Sequence, residues 1–359
     1  MIAFTICSNN YLAQAKTLGD SFVLHNPGVT FVIGLVDRMS PEIDYASLGP
    51  FEIIPVEELR IPEFETFWQR YNIMELNTAT KPFYFKHLFE QCGADVVMYF
   101  DPDIQLLASA ELILDELGES MALLTPHAQT PLPDTGNGEG EPEFMEPAFL
   151  NFGVYNLGFL AVADKPGRAE FLSWWAARTS RWAYIRPCSG LFTDQLWMNL
   201  APVYFDGLRV SPHRGLNMAY WNLHERVLSL DPNGRLVVNA TEPLVFFHFS
   251  TIDPTNPTQV TKIPLNRFTL ETRPDLRDLF YNYTQALLAN GQTGFSSIEC
   301  VFSSLRKTYL EERAASEQRT RLRGAPVAYR LYLAAKWIRH AAGRWVVGPL
   351  RRRFSDPSD

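Results

Sequence analysis

The chain has 359 residues, 46% of them apolar and 20% charged, the make-up of a globular protein with a large core. Its formal net charge of −8 argues against a general nucleic-acid binder, so no nucleic-acid partner is expected. The four cysteines, Cys7, Cys92, Cys188 and Cys300, share no metal-type spacing and read as reduced thiols. No run approaches the roughly 18 apolar residues of a membrane span.

The chain begins directly in an apolar strand, residues 2–6, without a charged and then apolar leader, which sets the expectation of a cytoplasmic protein. Further strands are predicted at 30–36 and 51–56, with an amphipathic helix at 12–24. This β-α-β-β order opens a doubly wound α/β sheet. The G-x-G-x-x-G dinucleotide fingerprint is missing after the first strand, and Ser8, Asn9, Asn10 and Tyr11 take its place. Small polar groups there can bond a base edge while Tyr11 stacks on its face; an ordinary loop and helix cap accounts for them equally well.

Residues 60–77 read as helical. Thr80 and Pro82 predict a new helix start, with Gly93 as its stop. Lys81 would then lie at a helix N-terminus, where the dipole favours anions; it is the first phosphate-side candidate and Lys86 the second. Residues 96–100, Val-Val-Met-Tyr-Phe, form a wholly apolar run that reads as a strand buried on both faces. It ends in Asp101-Pro102-Asp103. In open α/β sheets ligands bind beyond the carboxyl ends of the strands, and Pro102 turns the chain out of the sheet there. Two acids held together repel unless a cation lies between them, and oxygen ligands select hard ions such as Mg²⁺, Mn²⁺ or Ca²⁺. The alternative is plain turn chemistry, with an aspartate capping a helix at 109–117.

After a strand at 121–125, residues 126–147 hold five prolines and a cluster of acids, the composition of a disordered segment or of a lid, here one that could cover an acceptor. Residues 149–162 have strand character broken by Gly153 and Gly158, and glycine in a strand marks close approach by a ligand or another backbone. Asn151 and Asn156 offer donors and acceptors to sugar hydroxyls. Asp194 and Gln195 begin a helix, either capping it or facing the crevice. Residues 217–226, which include Trp221 and Asn222, have the rings and amides of a carbohydrate surface. His248 lies in a last apolar strand, 244–249. It reads as a core histidine, or as a nitrogen ligand that beside two carboxylates favours Mn²⁺.

Residues 1–270 thus read as the main domain and 271–359 as a helical appendage. Within the latter, residues 329–354 place Arg330, Lys336, Arg339, Arg344 and Arg351 among apolar residues with no acid. Such a basic amphipathic helix suits an anionic membrane surface, or packs on its own domain.

The strand-loop with Asn10 and Tyr11, Asp101-Pro102-Asp103, Tyr155-Asn156-Leu157-Gly158, Asp194-Gln195 and His248, in that order over residues 2–262, resemble bacterial glycosyltransferases of the GT-A fold related to glycosyltransferase family 8. The resemblance implies a Rossmann-like, mostly parallel mixed sheet flanked by helices. It implies metal-dependent transfer of a sugar from a nucleoside diphosphate donor, a UDP-sugar, to a glycan or lipid-linked acceptor. Asn10 and Tyr11, next to Ser8, match the positions that hold uracil and ribose. Asp101, Asp103 and His248 match the ligands of Mn²⁺ or Mg²⁺. Asp194 and Gln195 match the pair beneath the anomeric carbon, with Asn151, Asn156, Gly158, Trp221 and Asn222 on the substrate side. The resemblance favours retention of configuration, whereas the residues alone leave retention and inversion open. One departure stands out: Thr251 occupies the place of a family glycine three residues after the histidine. The phosphate contact then falls to Lys262, Lys81 or Lys86. The acceptor's setting would be the inner membrane surface if the basic helix binds there. The alternative is a non-catalytic carbohydrate-binding protein that uses the Trp and Tyr clusters.

Overall fold

The computed structural model describes residues 1–133, 146–256, 258–263 and 268–324, with side chains as far as 317. The first elements are β1 (Ile2–Cys7), α1 (Leu12–His25), β2 (Thr30–Leu35) and β3 (Glu52–Pro55), the expected β-α-β-β order. β1 is buried along its whole length, as a strand covered on both faces must be.

α2 (Phe64–Arg70) is followed by α3 (Ile73–Cys92), and here the structure corrects the sequence reading. No helix begins at Thr80. α3 is one helix of 20 residues with Pro82 inside it. Its start is fixed earlier by a capping box: the Asn72 side chain accepts from Glu75 N while Glu75 accepts from Asn72 N, each at 2.9 Å. Burial of Leu76, Ala79, Tyr84, Phe85 and Leu88 offsets the backbone bond that Pro82 cannot donate. Gly93, at φ +63°, ends the helix as expected.

The chain continues through β4 (Val96–Phe100), β5 (Ile104–Leu106), α4 (Glu111–Leu117) and β6 (Ala122–Leu124). The single strand expected over 149–162 is divided. Its first part is α5 (Glu146–Phe152), and only β7 (Phe159–Ala163) is extended. Gly153, at φ +120°, makes the break. α6 (Arg168–Trp182), the small hairpin β8 (Ile185–Arg186) and β9 (Leu191–Phe192), α7 (Ala201–Tyr204) and β10 (Leu208–Val210) follow. β11 (Leu228–Leu230), β12 (Leu236–Val238) and β13 (Glu242–Pro243) form a small antiparallel sheet, and β14 (Phe246–His248) comes next.

The main sheet has seven strands in the order β10-β6-β7-β4-β1-β2-β3, and is mostly parallel, with β7 antiparallel to both its neighbours. β4 is central, between β1 and β7, and Val97 to Phe100 are buried. A separate pairing decides the site: β14 runs antiparallel to β5, with His248 opposite Ile104.

α8 (Arg277–Ala289) and α9 (Gln292–Phe295) belong with this body. Tyr283 stacks on Phe249 with ring centroids 3.7 Å apart, and Phe280 meets Phe247 edge-on. One compact unit therefore runs from Met1 to Ser304, past residue 270, and the second covers Leu305–Asp359. The boundary falls within α10 (Val301–Gly324). Among the described residues no helix is long and apolar enough to cross a membrane. The basic helix expected at 329–354 lies outside the described residues, as do residues 134–145 of the segment read as a lid.

Candidate functional site

Asp101 and Asp103 follow the carboxyl end of β4. Asp101 N donates to Gly158 O at 2.7 Å, which ties the turn to the start of β7. Phe249 N donates to Asp103 O at 2.9 Å, so the β5–β14 register carries His248 across to the acids. His248 Nε2 lies 3.0 Å from Asp103 Oδ1 and 3.7 Å from Asp101 Oδ2. One donor atom from each of the three residues lies within 4.8 Å of the others.

The ring of His248 has a determined orientation. Asn217 donates its amide to Thr125 Oγ1 and Asn156 Oδ1, both at 2.9 Å, so its carbonyl oxygen is left to face His248 Nδ1 at 3.3 Å. Nδ1 must therefore carry the proton, and Nε2 is turned toward the acids. Gly158 leaves room for this ring: a Cβ there would lie 2.7 Å from both His248 Nδ1 and Asn156 Oδ1. The close approach is thus to a side chain of the site itself. Burial pushes the Asp101 carboxyl above its usual range; Lys81 and His248 pull it back, and Asp103 adds to the rise. For His248, burial disfavours the charged ring, but the two aspartates outweigh it and hold the ring above its ordinary value. Two oxygen donors and one nitrogen, whose charges are in excess without a cation, fit a divalent ion of the Mn²⁺ or Mg²⁺ kind.

The floor beneath is an ion pair. Lys81 Nζ lies 2.8 Å from Asp194 Oδ2, with both side chains only 2% exposed. The ammonium's aligned hydrogen bond goes to Leu157 O at 2.8 Å, and it sits over the Tyr99 ring at 4.2 Å. Tyr99 in turn donates to Asp101 Oδ1 at 2.5 Å. Lys81 is therefore not a helix-terminal phosphate ligand; it lies in mid-helix and is spent on Asp194. Gln195 accepts from Leu157 N at 2.9 Å and donates to Phe152 O at 2.7 Å. It fixes the segment that precedes β7.

These groups line one cleft of about 800 Å³. Ser8, Asn10, Tyr11, Lys81, Asp101, Asp103, Asn156, Gly158, Asp194, Gln195, Trp221 and His248 all border it. Ser8 is buried and bonded to Val36 O and to the Asn77 amide, while Tyr11 is 46% exposed. Other candidates fall away. Asn151 is exposed on α5 and does not border the cleft. Asn222 spends its amide on the carbonyls of His127 and Asn217 and its oxygen on Ala219 N. Lys262 is exposed and Lys86 half-buried, and neither borders the cleft.

Two residues in the cleft network escaped the sequence reading, Tyr99 and His127, and Asn217, read within 217–226 as part of a carbohydrate surface, instead orients His248. Tyr99 carried a signal, a hydroxyl two residues before Asp101 in an otherwise apolar strand. His127 accepts the Asn156 amide at 3.2 Å on Nε2, and burial pushes its pKa down to about 4, so its ring is neutral. Strain also gathers here. Thr193, Asn217 and Thr251 are non-glycine residues at φ +46°, +54° and +55°. Thr251 holds the left-handed conformation that a glycine would adopt without strain, and its hydroxyl is bonded to that of Thr261.

No family model matches the chain. Over 154 residues it is 26% identical to the curated protein of Bacillus subtilis (strain 168) described as "Uncharacterized protein YfnF", covering 43% of this chain and 48% of that one. The chain thus spans about half the length of this relative. A second protein of the same strain, "Uncharacterized protein YfnD", is 22% identical over 250 residues, covering 68% and 76%. Among solved structures, the galactosyltransferase LgtC in complex with donor and acceptor sugar analogues is 15% identical. It covers 80% of this chain and 96% of its own, at a TM-score of 0.47.

Proposed function

We propose that the chain is a metal-dependent glycosyltransferase of the GT-A type, moving a sugar from a nucleoside diphosphate, a UDP-sugar, to a hydroxyl of a carbohydrate acceptor. The observation that carries this reading is the convergence of Asp101, Asp103 and His248 at the carboxyl end of the central strand, in a cleft floored by the Lys81–Asp194 pair. A divalent ion held by these three residues would stabilise the charge of the departing diphosphate. Asn10, Tyr11, Ser250 and Thr251 border the cleft, and in this reading Asn10 and Tyr11 meet base and ribose while Ser250 and Thr251 meet a phosphate.

The floor of the cleft favours retention of configuration. The charge of Asp194 is already balanced by Lys81 at 2.8 Å, which makes it a poor acceptor for the incoming hydroxyl's proton. A phosphate oxygen of the leaving group is the better base. Asp194 then serves to steady positive charge developing at the anomeric carbon, with Gln195 holding the neighbouring backbone.

The test is thermal unfolding with UDP, GDP, CDP and ADP, each with and without Mn²⁺ or Mg²⁺. A ligand at a hundredfold excess over its Kd stabilises the folded state by about 2.7 kcal/mol. A metal-dependent shift with one nucleotide, abolished in Asp103→Ala, is the expected result. No shift with any nucleotide while either metal is present would refute the reading and favour a carbohydrate-binding protein.

A further inference from the structure

The two carboxylates beside His248 are held differently. Asp101 Oδ2 faces His248 Nε2 at 3.7 Å, on the side where the three donor residues converge. Asp101 Oδ1 is already taken, because the Tyr99 hydroxyl donates to it at 2.5 Å. Asp103 has no such restraint. Its Oδ1 lies 3.0 Å from His248 Nε2, and among the described residues no hydroxyl or amide donates to its side chain. Tyr99 is also fixed in place. It is buried, its ring packs on Phe4 at 5.1 Å, and the Lys81 ammonium sits over it at 4.2 Å. Lys81 is itself held by Asp194 and the Leu157 carbonyl. Asp101 Oδ1 is the one hydrogen-bond partner of the Tyr99 hydroxyl among the described residues, so breaking this bond would strand a buried donor.

How many oxygens a carboxylate can give separates small hard ions from large ones. Mg²⁺ demands near-ideal octahedral geometry, which one oxygen from each carboxylate satisfies, and Mn²⁺ fits the same kind of site. Ca²⁺ is larger, takes more oxygens and often grips a carboxylate by both. The His248 nitrogen already disfavours Ca²⁺ by its softness. Tyr99 acts separately, through the count of oxygens left free.

On the metal-dependent reading proposed above, from which this follows, we infer that Tyr99 is a positioning residue that sets the ion choice of the site: by occupying Asp101 Oδ1 it limits Asp101 to one metal bond, through Oδ2, and so discriminates against Ca²⁺.

The probes are Mn²⁺ and Ca²⁺ alone, without nucleotide. Bound Mn²⁺ is read from loss of the free ion's electron paramagnetic resonance signal, and Ca²⁺ from its competition for the same site. The variant is Tyr99→Phe, which keeps the ring and removes the hydroxyl. The Asp101 side chain is 30% exposed, so water can replace the lost donor and the variant should fold. The ratio of the Ca²⁺ to the Mn²⁺ dissociation constant should fall about tenfold in Tyr99→Phe. A variant that is merely loosened weakens both ions together and leaves the ratio alone. An unchanged ratio therefore overturns this inference and leaves the proposed function standing. If wild type takes up no Mn²⁺, the inference and the metal-dependent reading fall together. Should Tyr99→Phe fail to fold, infrared difference spectra of wild type with and without Mn²⁺, its aspartates labelled with ¹³C at the carboxyl carbon, decide the matter. A carboxylate bound through one oxygen widens the gap between its two stretching bands, and one bound through both narrows it. A widened pair is expected, and narrowed pairs alone overturn the inference.

Discussion

The Lys81–Asp194 pair allows the sharpest test of how the site is built. The two groups are 2.8 Å apart and almost wholly buried. At an effective dielectric of about 20 their attraction is about 6 kcal/mol, set against the cost of taking both from water. Removing one partner leaves the other charged and uncompensated. In Lys81→Met, the buried Asp194 Oδ2 has no other hydrogen-bond partner to fall back on. In Asp194→Asn, the ammonium keeps the Leu157 carbonyl, the face of Tyr99 and the longer-range pull of the Asp101 carboxyl, but loses its ion-pair partner. Each single variant should lose about 3–5 kcal/mol of stability, whereas the double variant Lys81→Met/Asp194→Asn, which leaves neither charge of the pair, should lose far less than the sum. Denaturant unfolding at neutral pH, without metal or nucleotide, measures all three. Single losses below about 1 kcal/mol, or losses that add in the double variant to within about 0.5 kcal/mol, would refute the claim that this pair holds the floor of the cleft. Lys81→Met should also weaken metal-dependent nucleotide binding, because Lys81 is one of the groups that pull the Asp101 carboxyl back down.

Gly158→Ala forces a Cβ to 2.7 Å from His248 Nδ1 and Asn156 Oδ1. It should cost about 1–3 kcal/mol and abolish the metal-dependent nucleotide shift, both read in one thermal series. Asn217→Ala removes the acceptor that fixes the His248 ring; the Mn²⁺ concentration for half-maximal stabilisation should rise about 10–100-fold, and an unchanged titration would sink that role. The buried His127 ring has its pKa lowered to about 4, below the ordinary 6.5. As pH falls the unfolded chain takes up this proton first. The stabilisation is therefore present above about pH 6.5 and lost as pH falls toward 4, by about 3 kcal/mol over that window. His127→Gln should flatten that part of the stability profile, and identical slopes in the two proteins would count against it.

Local chemistry made much of the molecule readable. The wholly apolar run before Asp101 could only be a strand covered on both faces, and an acid pair at its carboxyl end marks the rim of an α/β sheet. The β-α-β-β opening and the Gly93 stop were legible for the same reason, since period and backbone preference belong to neighbouring residues. The errors lie where a distant contact outweighed a local signal. Pro82 looked like a helix start, but Asn72 and Glu75 had already nucleated α3 and packing held it through the proline. Asn151 and Asn222 looked like sugar ligands; one faces outward and the other is spent on backbone groups.

The sequence by itself thus determined the fold class, the central strand and the residue types at its end, because these follow from short-range pattern. Only the tertiary structure decided what each polar group does. A lysine 113 positions from Asp194 is a cleft-floor counter-ion and not a phosphate ligand, because α3 and the 193–195 turn converge on it. His248 meets Asp103 because β14 pairs with β5 in one register, and a shift of one residue would turn it to the other face. A buried charge takes its role from whichever partner the fold brings within reach, and that partner is distant in the chain.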